Sequence, residues 1–88
     1  VSYAVRYTAS AARQLRKLDR ASQTRIGRTV AILAENPRPP AATQLVGGGG
    51  AWRVRTGDYR IVYEILDEKL VLLVVQLGHR REVYGRGH

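Results

Sequence analysis

The sequence predicts an α+β domain in which a two-helix hairpin packs on one face of a mainly antiparallel sheet, in the order β-α-α-β-β-β. Three observations carry this. Apolar residues recur at helical spacing in two stretches between residues 9 and 36, and they alternate or run continuously in three stretches after residue 50. Gly57 and Asp58 separate the first two of those stretches by the length of a tight hairpin turn. At 88 residues without a second composition block, the chain is expected to form one small domain over residues 1–88.

Tyr3, Val5 and Tyr7 alternate with Ala4, Arg6 and Thr8, the pattern of a half-buried strand. Thr8 or Ser10 is placed to cap a helix through ASAARQLRKLD, whose Ala11, Leu15 and Leu18 share one face while Arg13, Arg16, Lys17 and Arg20 surround the other. Asp19 or Ser22 opens a second helix with Ile26, Val30, Leu33 and Ala34 on its apolar stripe. Pro37 ends that helix by pushing Asn36 out of the helical region. A loop through Gly47 to Gly50 leads into three strands, Ala51–Thr56, Tyr59–Leu66 and Leu70–Leu77. This glycine run enters a strand rather than a helix and lacks a following Lys-Ser or Lys-Thr, so it reads as a flexible connection rather than a phosphate cradle.

Composition narrows the function classes. Hydrophobic residues make up 44% of the chain, which favours a folded globule over a disordered segment. Cysteine is absent, which excludes disulfides and thiolate metal cages and is compatible with a reducing cytoplasm. The longest apolar run, Leu70 to Val75, is six residues, too short for a membrane span or a signal-peptide core, so no membrane partner and no targeting segment are expected. Fifteen Lys and Arg oppose seven Asp and Glu, a formal net charge of +8. Such an excess self-repels and suits an anionic partner. Thirteen of the fifteen are arginine, the side chain whose planar fork matches phosphate oxygens.

The Gly-Asp turn sets a register. It places Thr56 opposite Tyr59, Arg55 opposite Arg60, Val54 opposite Ile61, Arg53 opposite Val62 and Trp52 opposite Tyr63. Trp52, Val54, Ile61 and Tyr63 then form an apolar face for the helices, and Arg53, Arg55 and Arg60 gather on the other. Directly opposed like charges cost roughly 0.2–1 kcal/mol, so this cluster points to an anion; the alternative is that Glu64, diagonal to Arg53, and solvent screening make it harmless. The stretch Leu70–Val75, apolar on both faces, belongs inside the sheet. Running antiparallel to Tyr59–Leu66, it returns to the Gly-Asp turn and brings Gly78, His79 and Arg80 alongside Tyr59, Arg60 and Arg55. Arg81 and Tyr84 follow, and the set is one that phosphodiester cleavage could use.

The stretches LVGGGGAWRVRTGDYRIVYEI and VQLGHRREVY, following a basic helix hairpin, resemble the RelE branch of the RelE/ParE toxin superfamily over nearly the whole chain. The resemblance implies a bacterial type II toxin, a metal-independent and cofactor-free endoribonuclease that enters the ribosomal A site and cuts messenger RNA. It further implies a cognate antitoxin, RelB-like or of another type II class, and a cytoplasmic location. Position by position, Arg53 and Arg55 fall on the family's two basic strand residues, usually including lysine. Arg60 falls on its phosphate-binding arginine, Arg80 on the arginine after the Gly-basic pair, and Tyr84 on the C-terminal tyrosine that helps position substrate. His79 lies where relatives carry a histidine or another basic residue.

Metal-free RNA cleavage lets the 2′-hydroxyl attack its own phosphate and needs proton transfer at two oxygens plus stabilisation of the added charge. Arg55, Arg60 and Arg80 suit the stabilisation but not base chemistry, since guanidinium stays protonated. His79 or Tyr84 is left to handle a proton, or the ribosome supplies the rate by alignment. Each has a structural alternative, His79 as a strand-end residue and Tyr84 as a packing group. Arg53, Arg81, Arg13, Arg16 and Lys17 are the expected RNA-backbone contacts, with Arg25 and Arg28 as further helical cations that otherwise form a solvated face. Two other functions fit the composition: ParE-like inhibition of DNA gyrase, and a non-catalytic RNA-binding module.

Overall fold

The computed structural model describes residues 2–47 and 49–79. Strand β1 (Ala4–Tyr7) leads into helices α1 (Ala9–Arg16) and α2 (Arg20–Glu35). Then come β2 (Thr43–Gln44), β3 (Trp52–Thr56), β4 (Tyr59–Leu66), a 3-10 turn at Asp67–Lys69, and β5 (Val71–His79). The strands lie side by side in the order β1-β5-β4-β3-β2; β1 runs parallel to β5 and the other pairings are antiparallel. The predicted α+β fold holds, with the apolar β5 inside the sheet as expected. Among the described residues no helix is long and apolar enough to cross a membrane.

One strand was not expected. Thr43–Gln44 pairs with Arg53 and Trp52, and Leu45 N donates to Ala51 O at 2.9 Å, so the glycine run joins two paired strands instead of linking helices to sheet. Positive φ at Gly47, Gly49 and Gly50 makes that reversal possible without Cβ strain. A two-residue strand behind a Pro-rich segment carries too little alternation to be read from sequence.

The helices start and stop where their polar residues allow. Thr8 Oγ1 accepts the Ala11 N–H at 3.1 Å, capping α1. Gln23 Nε2 reaches back from α2 to donate to Leu15 O and Leu18 O, both at 3.0 Å, satisfying carbonyls at the end of α1. Asp19 stands at the N-cap of α2 and accepts from Ser22 Oγ at 2.6 Å, a bond that holds its carboxyl below the usual range. Beyond α2, Asn36 turns extended at φ −146, as a residue before proline should.

The apolar stripes meet between helices and sheet. Ala11 of α1 and Ile26, Val30 and Leu33 of α2 pack with Val54, Ile61, Tyr63, Leu72, Val74 and Leu77 in one buried cluster. Trp52 packs on it half-buried. Tyr63 is fully buried, and its hydroxyl donates to Pro37 O at 2.7 Å, tying the end of α2 to the sheet. At that end Asp67 accepts from Tyr3 Oη at 2.6 Å and pairs with Arg38 at 2.7 Å, while the Arg38 guanidinium lies 5.8 Å from the Trp52 ring centroid. These exposed contacts lower the Asp67 carboxyl, Arg38 contributing most, and raise the Tyr3 phenol.

The hairpin follows the expected register residue for residue, from Thr56 opposite Tyr59 to Trp52 opposite Tyr63. Gly57 takes φ 61 at the first turn position, and Asp58 does not, which is the pattern of a type II′ turn. A Cβ built at Gly57 would also overlap the Arg25 guanidinium, which lies across the turn. Gly57→Ala should therefore cost about 1–2 kcal/mol, read as a lower denaturant midpoint with unchanged slope. Arg25→Ala should recover only part of the loss, because the φ requirement remains.

Candidate active site

The helices cover one face of the sheet, and the other carries the cations. Arg53 and Arg55 of β3 and Arg60 of β4 share that open face, with Arg55 directly opposite Arg60. Arg55 is exposed, whereas Arg53 and Arg60 are half-buried, and Nε of Arg60 is withdrawn from solvent. Among the described residues Glu64 makes no ion pair with Arg53, so the neutralising arrangement considered from sequence is not formed. Gly78 lies opposite Arg60 and contributes no side chain, which leaves space beside the guanidinium. The result is a recess of about 200 Å³ lined by Leu45, Arg53, Arg60, Val62, Gln76 and Gly78.

A bulge decides what β5 presents to this recess. Tyr63 pairs with Val74 but Val62 pairs with Gln76, so Val75 is an extra residue and the alternation of β5 changes phase there. Thr8 Oγ1 donates to Val75 O at 3.2 Å, and the Leu77 N–H donates to Gln14 Oε1 at 2.9 Å, fixing both sides of the bulge to the start of the helix layer. Leu72, Val74 and Leu77 can all be buried as a consequence.

The same phase change moves His79. An unbroken strand would put His79 on the arginine face. With the extra residue, Gln76 and Gly78 face the arginines, and His79 pairs with Tyr59 on the helix side. Its ring meets the Tyr59 ring edge-on, with centroids 5.0 Å apart. His79 lines a crevice of about 310 Å³ with Gln14, Lys17, Leu18, Tyr59 and Leu77, and another of about 230 Å³ with Ser22, Arg25 and Asp58. The expected return of Gly78 and His79 alongside Tyr59 and Arg60 is seen in the register, with His79 opposite Tyr59 and Gly78 opposite Arg60, and the imidazole itself lies on the helix face.

The remaining expected residues divide. Arg13, Arg16 and Lys17 are exposed on α1, and Lys17 lines the helix-side crevice rather than the arginine recess. Arg80, Arg81 and Tyr84 lie outside the described residues. Sequence reasoning missed Leu45, Val62 and Gln76 as lining groups. Gln76 carried a signal, being the single polar side chain between Leu70 and Leu77.

The recess can hold an anion between forked donors in a partly desolvated setting, where charge-assisted hydrogen bonds are strongest. Among the described residues that line it, two are guanidinium donors and none is a carboxylate or an imidazole.

The family model that matches residues 5–84 is described as the ParE toxin of the type II toxin-antitoxin system parDE. The chain is 30% identical over 88 residues to the mRNA interferase toxin RelE of Escherichia coli K12, covering 96% of this chain and 92% of that protein. It is 31% identical over 88 residues to Toxin RelG of Mycobacterium tuberculosis, covering 96% and 98%. Among solved structures, the toxin-antitoxin complex RelBE2 from Mycobacterium tuberculosis contains a chain that superposes with a TM-score of 0.81 at 29% identity, over 91% of this chain and 100% of that one.

Proposed function

The chain belongs to the RelE/ParE family of type II toxins, and from that premise we propose that it is a messenger-RNA endoribonuclease working at the ribosomal A site in the cytoplasm. The observation that carries this reading is the sheet face on which Arg53, Arg55 and Arg60 converge beside the recess. In this reading Arg60 and Arg55 hold the scissile phosphate and stabilise the charge that builds as the 2′-hydroxyl adds to phosphorus. Arg80 joins them from the tail. Arg53 and Arg81 contact neighbouring phosphates, and Arg13, Arg16 and Lys17 meet ribosomal RNA backbone from the helix side.

Proton transfer falls to Tyr84 rather than His79, because His79 stands across the sheet from the arginines. His79 is then a packing partner of Tyr59. The chemistry requires no metal. The partner in the resting cell is a cognate antitoxin, as in the RelBE2 complex, and an acidic segment of it would neutralise a body of net charge +8. The whole chain acts as one domain.

A second reading rests on the family model's ParE description: inhibition of DNA gyrase without RNA cleavage. A coupled translation extract with a defined message separates the two. New 5′-hydroxyl ends inside A-site codons are expected. Intact message together with accumulated gyrase-cleaved DNA would replace this proposal with the second.

A further inference from the structure

We infer that Gln76 is the side chain by which this protein selects the base beside its cut, favouring adenine over guanine. The inference rests on the nucleic-acid reading of the recess and adds to it a specificity that the arginines do not supply. Arg53 and Arg60 recognise phosphate, which every nucleotide carries. Of the described residues that line the recess, Leu45, Val62 and Gly78 offer apolar surface or bare backbone, leaving Gln76 as the one neutral side chain among them with both a donor and an acceptor.

Its placement is specific. Gln76 sits directly opposite Val62 in the β4–β5 register, one strand away from the Arg53–Val62 pair. The Val75 bulge is what turns Gln76 to this face, and bulges that re-aim a side chain occur preferentially next to functional sites. Gln76 is exposed, so its carboxamide lies at the surface of the recess rather than in the core. At about 200 Å³ the recess is smaller than a pocket for a drug-sized ligand, and its apolar floor suits the face of a single splayed base.

Hydrogen-bond chemistry then picks the base. A carboxamide offers one N–H donor beside one carbonyl acceptor, which matches the N6 amino group and N7 of adenine on its Hoogsteen edge. Guanine presents two acceptors, O6 and N7, on the same edge, and suits a guanidinium instead. On that Hoogsteen edge an amide facing guanine leaves its carbonyl without a donor.

The test is a translation extract programmed with a message whose A-site codon is randomised, with cut sites counted by sequencing of 5′-hydroxyl ends. The native protein should favour adenine over guanine at one codon position. Gln76→Ala should lower that adenine-to-guanine ratio about tenfold, and Gln76→Arg should turn it toward guanine. Cutting by both variants with the native ratio would overturn the inference and leave the ribonuclease reading standing, as would a native protein that cuts without purine preference. Loss of all cutting by both variants, with native circular dichroism and melting, would also overturn it by making Gln76 part of the cleavage machinery. No cutting by the native protein would remove the ribonuclease reading itself, and Gln76 with it.

Discussion

Replacing Arg60 by alanine is expected to lower message cutting by at least about 100-fold, the scale seen when one preorganised donor to a developing oxyanion is removed. The loss should appear in the maximal rate if, as proposed, the guanidinium acts while charge builds on phosphorus. Stability should move little. Arg60 directly opposes Arg55, so its removal relieves a like-charge pair worth roughly 0.2–1 kcal/mol and offsets the packing lost with the half-buried stem. Arg60→Lys should keep the charge and recover only part of the rate, because an ammonium cannot reproduce a two-pronged contact with phosphate. Single-turnover cleavage alongside a thermal melt separates chemistry from folding. Full activity in Arg60→Ala would remove Arg60 from the site.

The largest effect on stability is expected at Tyr63. Its ring is fully enclosed by the cluster between helices and sheet, and its hydroxyl serves Pro37 O at 2.7 Å. Tyr63→Ala should cost about 3–5 kcal/mol, a large share of what a domain this small possesses. Tyr63→Phe keeps the ring and should cost about 1 kcal/mol through the orphaned carbonyl. The same residue sets an alkaline limit. Burial pushes the Tyr63 phenol from 10.0 up to about 12, so the folded protein holds this proton more tightly than the unfolded chain. The corresponding stability is complete below pH 10 and is lost as pH rises toward 12, about 2–3 kcal/mol in all. Denaturant midpoints measured across that window should fall steeply in the native protein and less steeply in Tyr63→Phe. Equal slopes would show that Tyr63 does not govern alkaline unfolding.

The contrast between Arg60 and His79 shows how far a sequence can be read. The hairpin register is legible because a two-residue Gly-Asp turn leaves little choice of pairing, and that pairing puts Arg53, Arg55 and Arg60 on one face. The helix stripes were legible because Ala11, Ile26, Val30 and Leu33 recur at helical spacing, and β5 was legible as an inner strand from its unbroken apolar run. The bulge at Val75 was not. It is held by Thr8 and Gln14, more than sixty positions away in the chain, and no local pattern announces it. One inserted residue exchanges the faces of everything that follows, taking His79 away from the arginines and giving them Gln76 instead. The parallel pairing of β1 with β5 was hidden for the same reason, since it depends on where the helix pair returns the chain.

On the proposed mechanism, the arginine face serves an attack by the message's own 2′-hydroxyl. A message carrying a single 2′-deoxynucleotide at the otherwise preferred cut site, presented in a stalled ribosomal A site, tests it most directly. Cutting at that linkage should disappear while neighbouring linkages remain open to cleavage. Cutting at the deoxy position with native efficiency would contradict that mechanism.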